Sequence, residues 1–588
     1  MSTGRQWYPL SGNVGRVRRT AALTGTKKGP VDPLTGPKLA LAGRVVTMDA
    51  RFKVQADGVV YIGNGAIVAV QARSKAAPSG FAGVAVVETG GTLFPGLIEL
   101  HNHLSYIALP LWAPVPRRFD NRGQWPSHAD YRPMVSGPMT VIGKYKNAQG
   151  KYPLLPALIR YVECKCLLGG VTTSQGVRLA SNAGIQRFYR GIVRNVEQTD
   201  ESELPEAQGR IPDMDANDAK SFLARLNKED SCFLLHLSEG VTDPAVPLSA
   251  ARKHFLALEI APDKWALNDK FTGIHAAGLL PDDFHVMADH GSSMVWSPLS
   301  NLLLYGGTAR VDAAKKAGVL IGLGSDWSPT GSKNLLGELK VAWLYNEHYL
   351  NKLFKAREIV AMATCNAARI LKWGNKCGVL KAGARADLLV IDGTASDPYK
   401  ALLQARETDI RLVMINGVAR YGLPTVMEKL TTGGEAVKVG GKVRRLFLEQ
   451  ATGDPDVAQV SLAKATTQMR AALKDIAKLA KATEQPQRAP ARRLLDAQQE
   501  PTWTLALDEI CSCGVELAPR LPFNGPQDFT GPDRAPSALR AASPPLSQIL
   551  KPIALDPLTV ADDPHFLDRI EKQPNVPDKV RKGLRGMY

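Results

Sequence analysis

Apolar positions along the chain change period more than once. From Leu39 to Val87 they fall in short β-branched and aliphatic runs, at Arg44–Met48, Gly58–Ile62 and Ala66–Val70, divided by Gly, Asp and Asn turns. That pattern predicts a small antiparallel sheet. A similar group returns at Ala386–Asp392 and Ile410–Gly417, so the two groups are expected to complete one β-sandwich that brackets a central domain. Between them, continuous apolar strands alternate with helix-like segments. Phe94–Leu100, Gly170–Ser174, Gly191–Val196, Phe233–Leu237, Gly273–His275, Ser293–Trp296 and Gly318–Gly324 are the strands, and their spacing is that of βαβ units. From Glu197 to Asp230 only one helix, Ala216–Leu226, and one weak strand near Arg210 can be placed, so the outer ring is expected to be incomplete there.

After about Glu428 the character changes to a Gly and Lys stretch, then an Ala-rich amphipathic helix over Val457–Ala482, then Pro-rich irregular sequence to Tyr588. The apolar face of that helix, with Leu462, Met469, Leu473, Ile476 and Leu479, is expected to dock on the central domain or on a second copy. The division expected is a basic arm at 1–38, the sandwich at 39–90 and 376–427, a central domain at 91–375 and an extension at 428–588. With 588 residues and 44% hydrophobic content the chain is long enough for more than one packed unit. No run approaches the roughly 18 apolar residues of a membrane span, so no membrane partner is expected. Residues 1–38 lack the apolar centre of a secretory signal, and seven scattered cysteines make no disulfide framework, which together suit a cytoplasmic location. A balance of 73 basic to 56 acidic residues gives +17, thickest in Arg16–Arg19, Lys442–Arg445 and Arg488–Arg493. No base-reading motif accompanies that charge, so nucleic acid is not the expected partner.

Chemistry enters at Leu93-Phe-Pro-Gly-Leu-Ile-Glu-Leu-His101-Asn-His103, where two histidines one residue apart end an apolar strand. On extended chain both imidazoles project to one side and can share a metal ion. This stretch resembles the strand-one signature of the amidohydrolase superfamily, and further motifs follow in the same order. Leu234-Leu-His236-Leu-Ser-Glu239 is similar to the strand-five histidine and following glutamate of the cytosine deaminase and chlorohydrolase branch. Gly273-Ile-His275 resembles the strand-six histidine, Trp296-Ser-Pro-Leu-Ser-Asn301 the strand-seven run, and Gly322-Leu-Gly-Ser-Asp326 the strand-eight aspartate. Cys365-Asn-Ala-Ala-Arg369 and Gly378–Asp387 resemble the return into the small sheet, so the likeness covers about Leu39 to Leu423.

The resemblance implies an α/β fold, a (β/α)8 TIM barrel with the small β-sandwich and the extension added. It implies one divalent ion per chain, zinc first and Fe2+ or Mn2+ as alternatives, held by His101, His103, His236 and Asp326. Such donors suit those metals and leave a position open. Glu239 is the implied proton shuttle, His275 the group that polarises the substrate or orients the attacking water, and Asp326 a second base. No lysine stands where a two-metal member would carry one: Lys165 precedes strand two, and Lys220 and Lys228 lie in or after the helix before strand five. His290 reads as structural, and Cys511 and Cys513 as ordinary thiols.

The loop after His103 carries Tyr106, Trp112 and Arg117, and together with Gln175, Arg194 and Asn195 at the ends of strands two and three these are candidate substrate contacts. The expected function is hydrolysis of a non-peptide carbon–nitrogen bond in a small molecule, by deamination of a ring or opening of an amide or cyclic amide. The alternative is an idle scaffold of the same fold that acts by binding, against which the complete ligand set argues. A homo-oligomer is compatible with this reading, and residues 430–588 are expected to be dispensable for metal binding.

Overall fold

Eight parallel strands form the barrel, most of them buried: Leu97–Ile98, Val171–Ser174, Arg194–Asn195, Gln208–Arg210, Phe233–Leu237, Phe271–His275, Ser293–Trp296 and Leu320–Leu323. The computed structural model describes residues 34–112, 117–148, 151–181, 186–188, 191–210, 216–393, 395–450, 454–484, 503–505 and 544–588. The first three strands pair as one parallel sheet and the last five as another. The Ala207 N–H donates to Val196 O at 2.9 Å and joins the two. A parallel bridge between Asn102 and Asp326 closes the ring, with His103 N donating to Asp326 O and Asp326 N to His101 O, each at 2.9 Å. The barrel is therefore shut at the C-terminal ends of strands one and eight, where the first two histidines and the aspartate lie.

The weak fourth strand exists, and residues 196–207, which connect strands three and four, contain no helix. Leu204 and Ala207 of that connection bury themselves with Val196 and Trp373, and the Trp373 indole donates to Pro205 O at 2.8 Å. A tryptophan thus packs on the connection where a helix would otherwise lie.

The two outer strand groups join in one nine-stranded sheet. Val86–Pro95 lies at its centre, parallel to Leu39–Val46 on one side and antiparallel to Leu388–Ile391 on the other. The sheet curls on itself: a Cβ built on Gly417 would lie 3.2 Å from Cγ2 of Ile62, although three strands stand between them in the ladder. The sandwich layers are therefore two halves of a single sheet with a shared core of Leu41, Val60, Ile62, Leu388, Leu412 and Met414. The hairpin Glu435–Val439 and Lys442–Leu446 extends this sheet, so the Gly and Lys stretch after residue 428 is structured and belongs to it.

The amphipathic segment is three helices, Pro455–Ala458, Leu462–Lys474 and Ile476–Glu484, rather than one. Ser461 caps the second by accepting from the Lys464 N–H, and Asp475 ends it. Leu462, Met469, Leu473 and Ile476 are buried, and the second helix packs on Leu154–Leu168 of the barrel, whose buried Arg160 donates to Val457 O at 2.9 Å and Val460 O at 2.8 Å. Among the described residues no helix is long and apolar enough to cross a membrane. Most of the basic arm, the Pro-rich stretch 485–502 and 506–543, and Cys511 and Cys513 lie outside the described residues.

Candidate metal centre

Each putting-together of the site begins at a strand end. Ser238, His275, Ala276 and Asp326 all have positive φ, between 46° and 67°, a conformation that costs energy in non-glycine residues and clusters at functional sites. Gly324 lies so close to strand one that a Cβ there would stand 2.5 Å from His101 Cβ, so only glycine lets strand eight bring Asp326 to the histidines.

Five side chains converge in the mouth of the barrel. His101 and His275 are fully buried, and His103, His236 and Asp326 are at most 8% exposed. Ring centroids of His101 lie 5.0 Å from His103, 4.6 Å from His236 and 5.0 Å from His275. Asp326 Oδ1 stands 3.2 Å from His101 Nε2 and 3.3 Å from His103 Nε2. The potential ligand atoms of His101, His103 and Asp326, and separately of His101, His236 and His275, lie within 4.8 Å of one another. His101 Nε2 and Asp326 Oδ1 are buried without a hydrogen bond, an arrangement that would be costly unless a cation sat between them. The donor set fits a divalent ion of the zinc class.

Protonation is arranged for that purpose. Burial, then the charge of His101, pushes His236 well below its ordinary range, and burial takes His275 to about 4 against the pull of Glu239 and Asp326. Neutral imidazoles are the ligating form. Burial opposes ionisation of Asp326, yet the facing imidazoles of His101, His103 and His275 outweigh it and hold its carboxyl well below the usual carboxylate range. Its other oxygen accepts from Ser300 Oγ at 2.6 Å.

Hydrogen bonds choose the tautomers. Gln175 Oε1 accepts the Asn102 N–H at 3.0 Å, so the atom 3.3 Å from His101 Nδ1 is an acceptor. Nδ1 of His101 must carry the proton, and Nε2 offers a lone pair to the cluster. His275 is set the other way. The Trp296 indole donates to Thr308 Oγ1 at 2.7 Å, Thr308 donates to Asn301 Oδ1 at 3.3 Å, and the Asn301 amide donates to His275 Nδ1 at 3.0 Å. Nε2 of His275 then bears a proton and is a donor rather than a ligand.

Glu239 is buried beside this donor. Its Oε2 lies 3.7 Å from His275 Nε2 and 3.6 Å from Arg122 Nε, while Oε1 accepts from Tyr305 at 2.8 Å and Tyr305 in turn accepts from the Trp125 indole at 2.9 Å. Tyr305 and Thr308 were not singled out in the sequence; they follow the Ser-Asn run by one helical turn or more, and only the fold aims them at the site. Below the cluster, buried Glu99 accepts from His101 N at 3.3 Å and from Ser325 N and Oγ at 3.0 and 2.6 Å, tying strand one to strand eight.

The candidate substrate contacts separate. Tyr106 is buried with its ring 5.2 Å from Trp327, whose ring is 5.4 Å from His103. Trp112 is buried against His128 and Tyr131, and Arg117 is exposed with its guanidinium over Phe119. Gln175 orients His101. Arg194 lines the same cavity as Gln175 and Asn195, and its buried guanidinium pairs with Asp387 of the small sheet and donates to Asn416 Oδ1 at 2.5 Å. Asn195 Oδ1 accepts from Glu197 N at 2.7 Å and Gln198 N at 3.1 Å, and Asn195 lines a cavity with Gln175, Ser174 and Leu104. His290 donates from its ring to Val286 O at 2.9 Å at a helix end.

Comparison with known proteins agrees with this geometry. Residues 92–420 match the model of the amidohydrolase family. The chain is 31% identical over 171 residues to 5-methylthioadenosine/S-adenosylhomocysteine deaminase 1 of Syntrophus aciditrophicus, covering 27% of this chain and 39% of that one. It is 23% identical over 413 residues to 5'-deoxyadenosine deaminase of Methanosarcina mazei, covering 63% and 90%. The fold matches a mutant of atrazine chlorohydrolase TrzN from Arthrobacter aurescens TC1 complexed with zinc and atraton, with a TM-score of 0.51 and 20% identity over 65% of this chain and 94% of that one. With its match spanning more than half of the residues and every barrel motif at a strand end, the chain belongs to the amidohydrolase family.

Proposed function

We propose that this chain is a metal-dependent hydrolase that removes an amino group from an aromatic nitrogen heterocycle, with a 5'-modified adenosine as the first substrate class to test. The observation that carries the reading is the position of Glu239, a buried carboxylate held by Tyr305 with its second oxygen facing the N–H of His275. The named activities of the two relatives, both deaminases of adenosine derivatives, support the choice of substrate class.

When bound, a divalent ion would supply an electrophile that lowers the pKa of water in the site. His101, His103, His236 and Asp326 would hold it. Glu239 takes the proton of the attacking water and returns it to the departing nitrogen, work for which an ionisable group within a few ångströms of both is required. His275 presents Nε2–H to a ring atom that gains negative charge, and its tautomer is set in advance by Asn301 and Thr308. Burial of the whole constellation strengthens each of these interactions. The five described cysteines are free, which suits a reducing compartment such as the cytoplasm.

The test is ammonia release by the zinc-loaded full-length chain across 5'-modified adenosines, other aminated heterocycles and cyclic amides. Ammonia from an aminated ring is the expected outcome. Acid formation from a cyclic amide without ammonia would move the chemistry to amide hydrolysis, and inactivity on every class would contradict the proposal.

A further inference from the structure

The C-terminal segment 544–588 lies outside the matched family region, yet one of its acids is buried against the barrel. Asp556 is 1% exposed. Its N–H donates to Ala108 O at 3.0 Å, and its carbonyl accepts from Tyr161 at 2.5 Å. Its carboxylate lies between two buried lysines, accepting from Lys165 at 2.5 Å and from Lys333 at 2.5 Å. Lys333 also pairs with Asp563 at 2.9 Å, which makes a quartet of two positive and two negative groups, none more than 7% exposed.

Lys165 spends its three N–H bonds on three partners: Asp556, Ile107 O at 2.6 Å and Ser328 Oγ at 2.9 Å. Ile107 belongs to the turn Leu104–Ala108, which begins immediately after His103, and Ser328 stands two residues after Asp326. Ser328 itself donates to Ile107 O at 3.2 Å. The two loops that leave strands one and eight, each fresh from a residue of the cluster, are thus pinned together by one ammonium group, and a charge on the C-terminal segment keeps that ammonium in place. Further along, Asn575 donates to Leu303 O at 2.8 Å, in the helix that carries Ser300 and Asn301.

We propose that Asp556 is a positioning residue for the metal centre, acting through Lys165 to hold the loops after His103 and Asp326 in register, so that retention of the ion depends on the C-terminal segment. The proposal rests on the reading of the cluster as a metal site. It replaces the expectation that residues 430–588 can be spared for metal binding. A buried ammonium deprived of its counter-charge would either lose its proton or pull away toward water, and in both cases Ile107 and Ser328 lose their tie.

The experiment measures zinc release to a chelator, together with the melting temperature, in the full-length chain. The variants are Asp556→Asn, Asp556→Asn combined with Lys165→Met, and Ser328→Ala. The single Asp556→Asn change leaves an unbalanced buried charge and lowers the melting temperature. The double change restores charge balance, with Lys333 still paired to Asp563, and recovers the melting temperature. If Asp556 positions the site, zinc release is about tenfold faster in both, the scale on which groups behind metal ligands act. Ser328→Ala removes one of the three Lys165 partners, threatens folding least, and speeds release by a smaller factor. Release at the wild-type rate in every variant that folds would overturn the proposal. A wild-type chain that takes up no zinc would instead overturn the metal-site reading beneath it.

Discussion

At the scale of the residue, the site works because hydrogen bonds decide which nitrogen carries each proton. His101 and His275 have the same ring and opposite tautomers, since a carboxamide oxygen faces Nδ1 of the first and a carboxamide N–H faces Nδ1 of the second. Thr308 is the pivot for His275, because its hydroxyl fixes the orientation of Asn301. Thr308→Val should free that amide to turn over and lower kcat about tenfold with zinc content unchanged. Steady-state kinetics paired with elemental analysis checks this, and an unaltered kcat would remove the relay from the account. A second residue-scale prediction concerns Glu338, fully buried, which accepts from the Leu299 N–H at 2.8 Å and from Ser332 Oγ. Burial, the largest influence, pushes its carboxyl up to about 8 from an ordinary 4.5. The stability it contributes is therefore full below about pH 4.5 and is lost as pH rises to about 8. Glu338→Gln reproduces the protonated form. It should match the wild type in acid and be more stable by about 2–4 kcal/mol above pH 8, measured by denaturant melts at several pH values.

At the scale of the element, what could be read from the sequence was whatever has a local cause. The histidine pair at the end of an apolar strand, the βαβ alternation and the helix Ala216–Leu226 all rest on periodicity within a dozen residues. The fourth strand shows only weakly because it is three residues long and polar, and the connection leading to it packs on Trp373 from far along the chain. The hairpin at 435–446 shows in the sequence only as a Gly and Lys stretch because those residues are those of an edge, where side chains answer to solvent rather than to a core. Arg194 shows the limit for partners distant in the chain. Its place at a strand end marks it as a pocket group, and it does line a cavity, but its ion pair with Asp387 of the small sheet, 193 residues away, has no local signal. Arg194→Met would leave that carboxylate buried and unpaired. The expected cost is about 3–5 kcal/mol of stability with one zinc still held by the folded protein, and a denaturant melt decides it.

At the scale of the whole molecule, the barrel is clasped from several directions. The curled sheet grips it through Arg194, Asp387 and Asn416, the helices after residue 454 cover Leu154–Leu168, and the final segment inserts Asp556 between two barrel lysines. The family match ends at residue 420, so these last contacts lie outside the matched region. Of these contacts, the one at Asp556 reaches the loops after strands one and eight, through Lys165 to Ile107 and Ser328. All of this has a function only if the converging side chains bind an ion. The most direct test is elemental analysis of the purified full-length chain beside His236→Ala and Glu239→Gln. The wild-type chain is expected to hold about one zinc-class ion, His236→Ala to lose it, and Glu239→Gln to keep it with turnover down by about 10²–10⁴. Wild-type protein that holds no metal after zinc is supplied, or a His236→Ala variant that holds it as well as the wild type, would show that the converging histidines and Asp326 are not a metal site.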